Sequence, residues 1–258
     1  MNATPVLIAE RRNALPQRLR DIANNQRTRI ESFGAVELFL NSATNEAAFG
    51  EGFALFGKMR AAGEAIPPDF ETLDSTGSLK GVDRRVVPFV RSNQFVALVA
   101  TLEDYLSRVL ESVLLAYPEQ LEPKLSELQT NMAFESAIEA AASHRLHTLF
   151  YKSPLKYGQA IEAHLSMTPP TKVFSQVWPE FVEMKARRDI GVHANWRKNA
   201  IYVAKVAEVN GPIEPSEFLA VSAPYFEAAQ AKGRRLVDAL TSHCEETFRG
   251  TKGLTAVT

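Results

Sequence analysis

Two arginines, an aspartate and a histidine lie within "RRDIGVHANW", residues 187–196 of this 258-residue chain. These types suit work on a phosphodiester. An imidazole titrates near neutral pH, so His193 is a candidate general acid or base. The Arg188 guanidinium can hold a phosphate through two parallel donors and offset the charge that builds in a transition state. Asp189 either orients the imidazole or the RNA, or pairs locally with Lys185. On RNA the 2′-hydroxyl is an internal nucleophile, and the stretch lacks the clustered carboxylates that hold catalytic metal ions. No metal and no cofactor are therefore expected.

Spacing qualifies this chemistry. Asp189 and His193 are four apart and share a helix face, whereas Arg188 and His193, five apart, point about 140° from each other. They converge only if the helix changes near Gly191 or another surface completes the site. Between residues 185 and 205, Lys185, Arg187, Arg188, Arg197, Lys198 and Lys205 oppose Asp189 alone: six cations less one anion, a surplus of five in a chain of net charge -1. Bulk charge gives no general attraction to nucleic acid, so contact must come from such a local patch. Lys185, Arg187, Asn195, Arg197 and Lys198 are the candidate RNA contacts. The competing readings are an ordinary solvated face and, for Asn195, a helix cap. Glu183 lies four residues before Arg187 and is expected to pair with it, which leaves Arg188 less committed.

Helices must position these groups. Residues 95–114 carry Phe95, Leu98, Val99, Leu102, Tyr105, Leu106, Val109, Leu110, Val113 and Leu114 at helical spacing, with Ser92 or Asn93 as N-cap and Pro118 after the end. The stripe is wide enough to face a core and, in part, a partner chain. Further helices are predicted within 5–32, 34–62, 122–150 and 154–166, from about Ser175 through the motif, and from about Pro215 to Phe248. Pro16 breaks or starts a helix, Pro179 falls in a first turn, and Pro224 kinks or divides the last helix. "RVVPFV" and "AIYVAKVAEV" are β-branched enough for a small hairpin, yet the chain as a whole reads as an all-α helical bundle. Residues 63–87, rich in Gly, Pro, Asp and Ser, read as a linker separating an N-terminal helical region (1–87) from a main domain (88–258). Cys244 is the single cysteine, which excludes an internal disulfide and suits a reducing, cytoplasmic setting. No run approaches the roughly 18 apolar residues of a membrane span, and "PVLIA" near the start is too short for a secretory signal.

The run from Arg188 to His193 resembles the signature of HEPN domains (higher eukaryotes and prokaryotes nucleotide-binding): arginine, a polar residue, three variable residues, histidine. "HANWRKNAIY", with Asn195 and Tyr202, is similar to the continuation seen in many members. Glu183 stands where an acid often precedes the motif, and "LVATLEDYL", with Glu103, resembles the first core helix. The resemblance covers roughly residues 88–248. It departs at Asp189, where many members carry Asn, and residues 1–87 match nothing in the family. It implies a helical-bundle protomer, a homodimer with both Arg/His motifs lining the interface, and a metal-independent endoribonuclease acting on RNA, with a toxin or phage-defence role and an antitoxin or defence-system partner protein. Other members are non-catalytic modules that bind RNA, nucleotide or a protein partner, and that alternative stays open.

Overall fold

The computed structural model describes residues 3–43, 80–122, 124–130, 132–167 and 172–248. Among them are eight α-helices and no β-strand: α1 (Ala3–Ala43), α2 (Lys80–Ala116), α3 (Lys124–Gln129), α4 (Phe134–Phe150), α5 (Pro154–His164), α6 (Lys172–Ala194), α7 (Ala200–Glu208) and α8 (Ala223–Phe248). A short 3₁₀ turn, Pro118–Leu121, links α2 to α3. The all-α reading holds, and both β-branched stretches are helical, in α2 and α7.

α2 is the central element. All ten residues of its predicted stripe are buried. The chain itself covers them, because α1, α4, α5, α6 and α8 all pack on α2, so the stripe is not available to a partner chain. Burying one such side chain contributes about 1.5–3 kcal/mol, and this many on one helix overrides local propensity. α2 starts at Lys80 and runs through Pro88, well before the expected cap at Ser92 or Asn93. Residues 80–87, read as the end of a linker, are therefore helix. The remainder of that linker, and most of the two short helices expected in 34–62, lie outside the described residues.

α1 also contains its proline: Pro16 neither starts nor ends it. Leu15, Leu19, Ile22, Ala23 and Ile30 bring α1 into the same core as α2 and α8. Such burial outweighs the roughly 3 kcal/mol that an interior proline costs. Near the far end of α1, Glu37 accepts from Arg91 Nε at 2.9 Å and from its terminal nitrogen at 2.7 Å, a buried bidentate pair joining α1 to α2. Pro179 lies in the interior of α6, which begins at Lys172 rather than near Ser175. Pro224 sits in the first turn of α8, and residues 215–222 form no helix, so the last helical segment is shorter than predicted. Cys244 is buried, and burial pushes its thiol up to about 12.

His164, at the end of α5, closes a polar joint beneath α2. Arg145 Nε donates to its Nε2 at 3.1 Å, so Nε2 carries no proton, and Nδ1 donates to Gln120 Oε1 at 2.8 Å. Burial first, then the nearby Arg145 and Lys152 cations, lower its pKa from 6.5 to about 4. The unfolded chain thus binds a proton here that the fold refuses. The folded pKa lies below the unfolded one, so stability falls as pH drops from about 6.5 to about 4, by at most about 3 kcal/mol. In urea titrations across that window, the wild type should lose more stability than His164→Gln; parallel curves would refute the assignment.

Candidate functional site

The motif occupies the last turns of α6, where the helix runs unbroken through Gly191 to Ala194. Arg188 and His193 therefore keep helical geometry, about 7.5 Å apart along the axis and about 140° around it. His193 is exposed and makes no side-chain hydrogen bond or ion pair among the described residues. Arg188 is held by two carboxylates. Its terminal nitrogen donates to Glu103 Oε2, and its Nε lies 3.2 Å from Asp189 Oδ1 in an ion pair. The angle at Nε is not that of a hydrogen bond, which leaves this buried N–H without an acceptor. Lys185 donates to the other oxygen of Glu103. Asp189 turns to Lys205, whose Nζ is 3.0 Å from Oδ2, and not to Lys185 or His193.

Asn195 ends the helix. It takes a left-handed φ of 48°, as does Trp196 at 61°; Asn tolerates this region through its short polar side chain. Trp196 N–H reaches back to the Ile190 carbonyl at 3.1 Å. Its indole lies flat against Gly191, where a Cβ would fall 2.6 Å from the ring, and its ring centroid is 6.2 Å from that of Phe95 on α2. Gly191 is thus required by the close approach of an indole and provides no hinge. Asn199 then caps α7, its Oδ1 accepting from Tyr202 N–H at 2.9 Å.

Two of the expected RNA contacts serve the fold instead. Arg187 is only 3% exposed. Its Nε donates to Glu183 at 2.8 Å, another nitrogen donates to the Leu219 carbonyl at 3.3 Å, and its guanidinium stacks 3.8 Å above the Tyr225 ring. Lys198 Nζ donates to the carbonyls of Glu214 and Pro215 at 2.9 and 2.8 Å, fastening the loop before α8. Arg197 is exposed and lies over the Phe218 ring at 5.3 Å. The formal surplus of five is therefore not a free basic patch, since Glu103, Glu183, Asp189 and backbone carbonyls hold most of these cations. Sequence reasoning paired Glu183 with Arg187 correctly and missed Glu103 as the acceptor of Arg188. A carboxylate directly beside the apolar stripe, Glu103 next to Leu102, was the available signal.

Glu183 is the hub behind the motif. Besides Arg187, it accepts from Tyr202 Oη at 3.0 Å and Tyr225 Oη at 2.7 Å. Burial pushes Tyr202 up to about 12, with Glu183 adding to the rise, and raises Tyr225 well above the ordinary tyrosine value. Both phenols stay protonated donors. Burial alone would lower the pKa of Arg187, but Tyr225 and Glu183 more than reverse this. Among the described residues, no three His, Cys, Asp or Glu side chains come together as a metal-binding group. Compared with family models, with curated proteins and with solved structures, the chain matches none.

Removing one partner from a buried ion pair strands the other charge, at a cost of about 3–5 kcal/mol. Glu183→Ala should lower the unfolding free energy by that amount, and the joint change Glu183→Leu with Arg187→Met should recover most of it. Chemical denaturation reads both, and a double variant as destabilised as Glu183→Ala would refute the pairing.

Proposed function

We propose that the protein is a metal-independent endoribonuclease of HEPN type, acting in the cytoplasm as a homodimer, with Arg188 and His193 as the working pair. The observation that carries this reading is the contrast along one helix end. His193 is exposed and unengaged, while Arg188, a turn and a half earlier, is held by Glu103 and Asp189. A free imidazole can take the 2′-hydroxyl proton or give one to the leaving oxygen. A guanidinium fixed by carboxylates is pre-aimed at developing phosphate charge. Because α6 is unbroken, the pair from one chain diverges, and a second copy supplying its own motif would bring imidazole and guanidinium into one cleft. Val192, Ile201 and Phe218, respectively 54%, 65% and 52% exposed, are large apolar side chains near the motif in sequence or contact that a second copy would cover. A toxin or phage-defence role, with an antitoxin or defence-system partner, follows from the same resemblance. No helix among the described residues is long and apolar enough to cross a membrane.

A non-catalytic module binding RNA, nucleotide or a protein is the second reading. The neutralisation of Lys185 and Arg188 by Glu103 favours it, since few free cations remain to attract a backbone. It predicts salt-dependent RNA binding without cleavage.

Incubation of RNA with purified protein in EDTA separates the two. Catalysis predicts that His193→Ala lowers the cleavage rate by about 10²–10⁴-fold, the usual contribution of a general acid or base, and that Arg188→Ala lowers it as well. The exposed His193→Ala should leave stability within about 0.5 kcal/mol, so the loss is chemical. Identical trace cleavage by all three proteins would remove the catalytic reading.

A further inference from the structure

A cavity of about 140 Å³ lies between α4, α5, α6 and α7, walled by the rings of Phe150, Tyr157, Trp178 and Phe181. Lys152, Lys185, Lys205 and Asp189 also line it. Asp189 is in turn the ion-pair partner of Arg188, so the cavity adjoins the motif. Its volume equals about five waters at roughly 30 Å³ each. That is below the roughly 300 Å³ at which sites for drug-sized ligands begin, so it accepts one planar ring and leaves the rest of a ligand outside.

Three further features point to a ligand. Tyr157 is only 5% exposed, yet its hydroxyl is buried without a hydrogen-bond partner. Nearly all buried polar groups are satisfied, so an orphaned one calls for an explanation. Burial pushes this phenol above its ordinary pKa, with Glu103 adding to the effect, and keeps it protonated, able to donate or accept. Phe150 remains 40% exposed and leaves aromatic surface uncovered. Lys152 has no ion-pair partner among the described residues, whereas Lys185 and Lys205 are held by Glu103 and Asp189. An aliphatic side chain of a peptide would fill the aromatic walls but would satisfy neither the hydroxyl nor the free lysine. A nucleobase satisfies both: its faces stack on aromatic rings, its edge offers donors and acceptors, and its phosphate meets the cation.

We propose that this cavity receives one unstacked base of single-stranded RNA, seated beside Tyr157 with the adjoining phosphate over Lys152. The assignment to RNA rests on the reading of the Arg188–His193 motif. The base would thereby fix which phosphate meets that motif, making the cavity a determinant of cleavage position.

The test is fluorescence anisotropy with the full chain and a labelled single-stranded hexanucleotide carrying 2′-O-methyl sugars. That probe cannot be cut through its 2′-hydroxyl, so binding is read whether or not His193 cleaves RNA. Against it are set an abasic backbone of equal length and free AMP as competitor. Loss of base stacking should weaken binding by about tenfold or more. Lys152→Ala should weaken it severalfold. Tyr157→Phe should also weaken it severalfold while keeping or raising the melting temperature, because the hydroxyl it removes has no partner in the free protein. Equal affinity for the abasic backbone, or unchanged affinity in Tyr157→Phe, would overturn the proposal. AMP competing as strongly as the hexanucleotide would overturn the assignment to RNA.

Discussion

A buried carboxylate, Glu183, governs the geometry of the motif. It gathers Arg187 from its own helix, Tyr202 from α7 and Tyr225 from α8. A charge taken out of water is tolerable only when its lone pairs are filled, so these three helices have little freedom to rearrange. The end of α6, where Arg188 and His193 stand, therefore has a fixed pose. Arg187 extends the constraint through the Leu219 carbonyl to the loop before α8. Adjacent arginines thus take opposite parts: Arg187 is sunk into the fold, and Arg188 is turned toward α2.

Charge balance follows from the same packing. The acids that answer the basic cluster include Glu103, far away in sequence, and Glu183, just outside the stretch counted, so the local count misleads. Glu103 is more than eighty positions from Lys185 and Arg188, yet it accepts from both. A phosphate approaching Arg188 would have to share its guanidinium with a carboxylate already in place.

Several features were legible because they depend on local spacing. The stripe on α2, the i,i+4 pair of Glu183 with Arg187 and the helix stop at Asn195 each follow from a period or from a residue that tolerates left-handed backbone. The illegible features depend on tertiary contact. Pro16 reads as a break or a start, Pro179 as a first-turn residue and Pro88 as part of a β-branched stretch, yet all three lie inside helices. Lys198 reads as a surface cation, and only the folded loop brings the Glu214 and Pro215 carbonyls to it. Gly191 reads as a place where the helix could change, yet a neighbouring indole is what demands the missing side chain.

That indole has a consequence for observing the molecule. The chain contains two tryptophans. Trp196 is pressed onto Gly191 at the helix stop, while Trp178 stands in a cavity wall among Phe174, Tyr157 and Phe181. One indole thus senses the pose of the motif, and the other senses what enters the space beside it. The protein carries two separable optical reporters, so movement of the helix end and filling of the cavity can be followed without attaching a dye.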